Sequence, residues 1–251
     1  MIKASGISVS YGDHHVLREL DAVIPSATVT SLMGRNGVGK TTLLRVLAGL
    51  LRPAAGEIHR DGAIGYVPQS TSGVFPYTVA EMVLMGRAGR LRALAQPGRA
   101  DRAIARAALE RVGLAHIAQR PFAGLSGGQQ QLVLIARALT TECAMLVLDE
   151  PASALDLRNQ SLVLELLVDL ASEGMGVLLS THSPEHALHL GGRCLVLTAS
   201  DELLSGPVGE QLTDDVLRRL YDVDVRRHRV PDGDRLREVI VTRYESVRTT
   251  V

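Results

Sequence analysis

An α/β fold built around a mostly parallel sheet is what this amino-acid sequence predicts, and three observations carry that reading. Between Met145 and Leu197, apolar strands alternate with helical stretches: strand Met145–Leu148, helix Leu157–Ser172, strand Gly176–Ser180, helix Pro184–Leu190 and strand Cys194–Leu197. Such alternation builds a parallel sheet with helices packed on its faces. The run from Ala27 to Met33 stops at a glycine cluster and suits a central strand of a covered sheet. Between Tyr77 and about Leu139 the period changes to that of helices, in three stretches near Val79–Leu91, Ala100–Val112 and Gly127–Leu139. They read as a helical subdomain inserted into the sheet.

The remaining elements come in chain order. Ile2, Ala4, Ile7 and Val9, then Val16, Leu20, Val23 and Ile24, are spaced as short antiparallel strands joined by the turn Tyr11-Gly12-Asp13, an N-terminal antiparallel β subdomain. A helix opens near Lys40 and runs to about Leu50, where Arg52-Pro53 ends it. Gly89 to Arg102, rich in Arg, Gly and Pro, reads as a surface connection. From Gly206 onward the sequence predicts one helix, Thr213–Tyr221, and then polar strand-like pieces. No internal repeat or low-complexity tract interrupts this. The expected organisation is a single domain over 1–251: a core of 1–76 and 143–205, a helical subdomain of 77–142, and a C-terminal extension of 206–251.

Composition narrows the function classes. The 251 residues are 46% apolar and 22% charged, within the range of folded globular chains. Lys plus Arg equals Asp plus Glu, which gives no basic excess for a nucleic-acid surface. Trp is absent and aromatics are 3%, too few for base-stacking platforms. The longest apolar runs, Cys143 to Leu148 and Met175 to Leu179, are strand-sized and far short of the roughly 18 residues that span a bilayer. The N-terminus soon turns polar and is not expected to be a signal peptide. Cys143 and Cys194 stand far apart in no metal-ligand spacing and are expected to be buried, reduced thiols.

Two motifs carry chemistry. Gly34-Arg35-Asn36-Gly37-Val38-Gly39-Lys40-Thr41-Thr42 fits G-x-x-x-x-G-K-[ST], and it lies between a strand and a helix as that motif demands. Its glycines let successive N–H groups turn inward on phosphate oxygens, and the helix N-terminus adds partial positive charge. Lys40 is expected to reach the β- and γ-phosphates, and the Thr41 hydroxyl to ligate Mg2+. Met145 to Glu150 is an apolar strand ending in two carboxylates, at the edge where open α/β sheets bind ligands. Asp149 is placed to hold the Mg2+ shell, which leaves Glu150 to polarise the attacking water. Phosphoryl transfer asks mainly for positioning and charge stabilisation, so few groups suffice.

These motifs indicate a phosphate-binding-loop NTPase. Leu125-Ser126-Gly127-Gly128-Gln129-Gln130-Gln131, directly before a helix, resembles the signature motif of ATP-binding cassette (ABC) proteins, physically a second anion cradle. Tyr66-Val67-Pro68-Gln69 looks like that family's Q-loop, Ser153-Ala154-Leu155-Asp156 like its D-loop, and Ser180-Thr181-His182 like the segment carrying its switch histidine. The resemblance runs from about Ile2 to Leu204 with the motifs in family order. It implies an ATP hydrolase with ATP and Mg2+ as ligands, held in a sandwich between two copies of the chain. Ser126 and Gly128, with Gly127 and Gln129, of one copy then face the γ-phosphate bound by Lys40 of the other. His182 contacts the γ-phosphate, Gln69 the Mg2+ and attacking water, and Tyr11 stacks on adenine with Val16 packed nearby. The chain departs from common family patterns at Ser183, where many relatives carry Asp, and at Gln131-Leu132-Val133, where Arg more often follows the glutamines.

The same resemblance suggests what the ATPase drives. Thr78 to Arg87, Leu132 to Leu139 and Leu155 to Gln160 are similar to segments of bacterial metal and metal-chelate importers. The expected partners are a second copy, separate membrane permease subunits and, indirectly, an extracytoplasmic solute-binding protein, without nucleic acid. The expected location is peripheral, on the cytoplasmic face of the cell membrane. A ferric siderophore is the favoured cargo. Other cargoes (manganese, zinc, cobalamin, haem, molybdate), an exporter cassette and a soluble non-transport cassette are the alternatives. A non-catalytic interaction module fits poorly with Lys40, Glu150 and His182 all present. The permease is expected to dock beside the stretch Ser70 to Arg87, at the cluster Val74, Phe75, Pro76 and Tyr77.

Overall fold

A computed structural model describes residues 1–69, 76–91 and 95–243. Strands β1 (Ile2–Tyr11) and β2 (His14–Ile24) form a hairpin closed at Gly12-Asp13, with Tyr11 opposite His14. The chain then enters the main sheet as β3 (Val29–Gly34) and returns as β4 (Ala55–Arg60) to pair antiparallel with β1. The hairpin was expected from its alternation; β4 was not, because Ala55 and Ile58 are its only apolar side chains. Within β2 the inward residues are Leu17, Leu20, Ala22 and Ile24, whereas Val23 is 46% exposed. Side chains of a strand alternate across its faces, so Val23 and Ile24 cannot share one.

The main sheet has six strands in the order β5-β6-β7-β3-β8-β9, where β5 is Ile64–Val67, β6 Met145–Leu148, β7 Gly176–Ser180, β8 Arg193–Ala199 and β9 Glu202–Pro207. The first five are parallel and β9 closes one edge antiparallel. β3 is central, as its sequence predicts, and Leu32 and Met33 are fully buried. β5 and β9 went unread in the sequence. Both are edge strands, where one side lacks a neighbour and polar residues are tolerated.

Helix α1 (Lys40–Leu47) packs Leu43, Leu44 and Leu47 between the hairpin and the sheet, against Ile7, Leu17, Val147 and Leu195. Burying each such leucine is worth about 1.5–3 kcal/mol. The helix stops three residues before the expected Leu50, where Leu50 N donates to the Arg45 carbonyl and closes the last turn.

The inserted helical subdomain comprises α2 (Val79–Leu84), a 3-10 continuation over Met85–Arg90, α3 (Arg99–Arg111) and α4 (Gly127–Leu139). The expected stretch Val79–Leu91 is thus two tighter pieces, and α3 begins inside the expected connection Gly89–Arg102. Thr78 caps α2: Glu81 N donates to its Oγ1, while its own N and Oγ1 donate to the Glu81 carboxylate at 2.8 Å each. α4 buries nearly every inward residue from Leu132 to Ala138, between α2 and α3 on one side and the sheet on the other. Arg87 ties this subdomain down: its guanidinium donates to Asp101 Oδ1 at 2.9 Å, to Glu142 Oε2 at 2.7 Å and to the Thr140 carbonyl at 2.8 Å.

After β6 come α5 (Leu157–Ser172), α6 (Pro184–Leu190), α7 (Val208–Gln211) and α8 (Asp214–Tyr221), and then the antiparallel hairpin of β10 (Asp224–Asp232) and β11 (Arg235–Arg243). The C-terminal elements pack Val208, Leu212, Leu217, Leu220 and Val225 on Met33, Ala187, Cys194 and Val196. Cys143 and Cys194 are both buried free thiols, and burial raises the Cys194 thiol to about 12. No helix among the described residues is long and apolar enough to cross a membrane.

A tight approach gives one test of this packing. A Cβ on Gly86 would stand 2.1 Å from the Arg137 carbonyl oxygen and 2.2 Å from Thr140 Oγ1. Gly86→Ala must therefore push α4 away from the 3-10 turn, at about 1–3 kcal/mol. Urea unfolding should show that loss; a midpoint equal to the parent's would mean that the two elements are not in this contact.

Candidate nucleotide site

The glycine loop occupies the turn between β3 and α1. Gly39 is the N-cap of α1, with φ of +111°, a left-handed conformation that a side chain would strain. No side chain caps this helix, so its first N–H groups face outward as an anion site. Asn36, Gly37, Gly39, Lys40, Thr41 and Thr42 line a cavity of about 590 Å³, closed on other sides by Val16, Gln69, Glu150 and His182. Lys40 Nζ donates to the carbonyls of Gly34 (2.9 Å) and Arg35 (3.1 Å). Burial pushes its ammonium pKa down, and the charges of Glu150 and then Asp149 act in the opposite direction.

The carboxylate pair issues from the end of β6. Asp149 is 4% exposed, and its Oδ1 accepts the Ser180 hydroxyl at 2.7 Å. The same Ser180 oxygen accepts Glu150 N at 2.9 Å, so one hydroxyl sets both residues. Glu150 adopts a φ of +46°, a left-handed conformation that costs a non-glycine residue about 1–2 kcal/mol. Ser153, by its N–H and hydroxyl, holds the Glu150 carbonyl at 3.3 and 3.1 Å. On the cavity side, Glu150 Oε2 lies 3.3 Å from Gln69 Nε2, the donor, and 3.2 Å from His182 Nδ1. Glu150, Gln69 and His182 therefore meet on one oxygen opposite Lys40.

Not every expected residue joins this cluster. Ser126, Gly127, Gly128 and Gln129 are not among the cavity's lining residues. They form the start of α4, where Ser126 Oγ accepts Gln129 N and Gln129 Oε1 accepts Ser126 N. Ser126 and Gly127 are exposed, while a Cβ on Gly128 would meet the Asn159 side chain at 2.4 Å. Tyr11 sits at the hairpin end, 52% exposed and likewise outside the cavity lining, which Val16 of the same hairpin does reach. Asp156 caps α5 by accepting Asn159 N at 2.8 Å. Two contributors carried no role in the sequence reading: Ser180, and Tyr221, whose hydroxyl donates to the His182 carbonyl at 2.7 Å. Their partners lie 31 and 39 residues away, beyond any local pattern.

A parallel sheet with a glycine cradle, a buried lysine and a carboxylate pair at its strand ends defines a phosphate-binding-loop NTPase. The ABC transporter family model matches residues 17–153, and the chain belongs to that family; it is an ATP hydrolase. It is 40% identical to the molybdate import ATP-binding protein MolC of Haemophilus influenzae over 210 residues, 83% of each chain. It is 32% identical to the iron(3+)-hydroxamate import ATP-binding protein FhuC of Bacillus subtilis, covering 87% of this chain and 86% of that one. Among solved structures, a chain of a metal-chelate type ABC transporter in an inward-facing conformation superposes with a TM-score of 0.92 at 36% identity. The match covers 97% of this chain and 98% of that one.

Three substitutions test the roles of these groups. Glu150→Gln should keep ATP affinity while turnover falls about 10²–10⁴-fold, the scale of a lost acid–base group. Lys40→Ala should weaken nucleotide binding itself. Ser180→Ala leaves the buried Asp149 oxygen and the Glu150 N–H without their shared partner, and should slow turnover by about tenfold or more. Nucleotide titration and steady-state hydrolysis measure all three; near-normal turnover in Glu150→Gln would remove Glu150 from the chemistry.

Proposed function

We propose that this chain is the ATP-hydrolysing subunit of a membrane importer for metal-containing solutes, working as a homodimer that clasps two ATP molecules. One observation carries the dimer: the start of α4 is exposed at Ser126 and Gly127, yet stands outside the cavity of its own glycine loop. A second copy, turned so that its cradle faces this cavity, gives each γ-phosphate both sets of donors. Lys40 and the loop N–H groups hold the phosphates from one side, and Ser126 with Gly128 from the other. Tyr11, exposed at the hairpin end, stacks on the adenine. Glu150, fixed by Ser180, accepts a proton from the water that attacks the γ-phosphorus, while the bond from that phosphorus to the bridging oxygen breaks and ADP leaves. Gln69 and His182 orient that water and the phosphate.

The oxygen donors near the loop fit Mg2+: one Asp149 carboxylate oxygen beyond that held by Ser180, the Thr41 hydroxyl and the Gln69 amide oxygen. Mg2+ uses one or two carboxylates together with substrate phosphates, not an all-protein cage. When bound, the ion neutralises charge developing between the β- and γ-phosphates.

Coupling to a permease is supported by an apolar groove of about 330 Å³ on the helical subdomain, lined by Tyr77, Glu81, Leu84, Met85, Ala88, Leu91 and Pro97. Val74 and Phe75, which the docking expectation named, lie outside the described residues. Met85, 37% exposed, lies inside the groove, and a permease segment seated there brings the chain to the cytoplasmic face of the membrane. The similarity to the hydroxamate-import relative supports a ferric siderophore as cargo. The higher identity to the molybdate-import relative favours an oxyanion as the second reading.

Two experiments test these proposals. Glu150→Gln with ATP and Mg2+ should sediment as a dimer and the nucleotide-free protein as a monomer; a fully active, ATP-saturated monomer would sink the sandwich. Co-expression with candidate permease subunits, followed by uptake of labelled ferric siderophore or molybdate, decides the cargo. In the same assay Met85→Glu should lose uptake and keep the ATPase of the isolated subunit.

A further inference from the structure

We propose that Tyr221, in the C-terminal extension, is a positioning residue for ATP hydrolysis: it fixes the backbone of His182 and so lets the extension set the turnover of the site. The inference rests on the reading of His182 as the γ-phosphate contact. Tyr221 is the last residue of α8, and the chain turns away after it through Asp222 in a left-handed conformation with φ of +55°. Its ring packs on the cluster of Met33, Ala187, Cys194 and Val196, which joins the central strand, α6 and β8. From that seat its hydroxyl donates to the His182 carbonyl at 2.7 Å. Burial pushes the phenol's pKa up, so the hydroxyl stays a donor throughout the working pH range.

The site needs such an anchor. The His182 side chain is 53% exposed, and its ring contact with Glu150, at 3.2 Å, is long for a charge-assisted bond. The main chain is fixed just before it, where Thr181 N donates to the Leu32 carbonyl at 3.0 Å, and just after it, where Ser183 caps α6 by accepting His186 N. Ser183 N also donates to Thr181 Oγ1 at 3.1 Å across the same residue, and Tyr221, from 39 residues away, adds the bond to the His182 carbonyl itself. A near-attack geometry is lost with displacements of about 1 Å, so a bond that holds the His182 backbone acts on rate and not on ATP affinity. The extension holds the same segment a second way, because α6, which follows His182 directly, packs its Ala187 and Leu188 in the cluster that seats Tyr221.

The test is a double-mutant cycle on the full chain with ATP and Mg2+, reading kcat, KM and thermal unfolding. Tyr221→Phe deletes one oxygen and keeps the ring, and should lower kcat about 3- to 10-fold, the worth of one hydrogen bond, at unchanged KM. In a His182→Ala background the same change should have no further effect, because the ring being positioned is gone. Tyr221→Leu, which fills the cluster without a donor, should reproduce the result. Parent-like kcat in Tyr221→Phe overturns the proposal, as do equal losses in both backgrounds, which mark a structural role. Failure of both variants to fold also overturns it. If His182→Ala alone turns over normally, the His182 reading itself fails, an outcome distinct from the others, and the role of Tyr221 falls with it.

Discussion

The site depends on the parallel register of four neighbouring strands. β5, β6, β7 and β3 run side by side with Val67 beside Leu148, Leu148 beside Leu179, and Ser180 beside Leu32. Each strand therefore ends within a residue or two of the same edge, and the segment after its last residue emerges there. Gln69 leaves β5 at this edge, Asp149 and Glu150 leave β6, His182 leaves β7, and the loop to Lys40 leaves β3. The main chain locks the exits: Asp149 N donates to the Val67 carbonyl and Thr181 N to the Leu32 carbonyl, at 2.9 and 3.0 Å. An open α/β sheet binds ligands at this edge because parallel strands all release their chains in one direction.

Convergence alone would bring two carboxylates and a lysine to one edge of the sheet with nothing to separate their roles. Ser180 does the separating. By donating to Asp149 and accepting from Glu150 N, it turns the two acids apart, one into the buried floor and the other toward Gln69 and His182. The left-handed backbone at Glu150 is the cost of that turn, and the bonds from Ser180 to its N–H and from Ser153 to its carbonyl offset it. Buried polar groups in such a network are expensive to leave unpaired, so removing one hydroxyl disturbs both acids.

This division explains what the sequence could and could not disclose. The glycine loop, the acid pair and the signature segment are contiguous strings, each tied to a strand or helix boundary, and they are readable residue by residue. Ser180 and Tyr221 are not, because each acts on a partner more than thirty residues distant and neither type is unusual where it stands. The covered strands were legible from their apolar runs. β4 and β9 were not, since pairing on a partly exposed edge makes little demand on side chains. Which of the neighbours Val23 and Ile24 faces inward is not legible locally, because apolar residues near the end of β2 fit several registers and only the fold decides between them.

Two helices of the helical subdomain that begin with a hydroxyl cap bear on the proposed sandwich. α2 and α4 begin with the same box, a hydroxyl at the cap and a long polar side chain three residues on. In α2 that side chain is Glu81, whose charge neutralises the helix terminus and whose own pKa is lowered, first by the Thr78 backbone N–H and then by the Thr78 hydroxyl. In α4 it is Gln129, which supplies the same acceptor geometry to Ser126 N without a negative charge. A carboxylate at that position competes with an arriving anion for one partial positive charge, and an amide does not. The cap bond is also slack, 3.4 Å from Gln129 N to Ser126 Oγ, which leaves the hydroxyl able to turn outward. The cap of α2 thus carries its own negative charge, whereas α4 keeps an uncharged cap with Ser126 and Gly127 exposed, as a γ-phosphate arriving on a second copy of the chain would require.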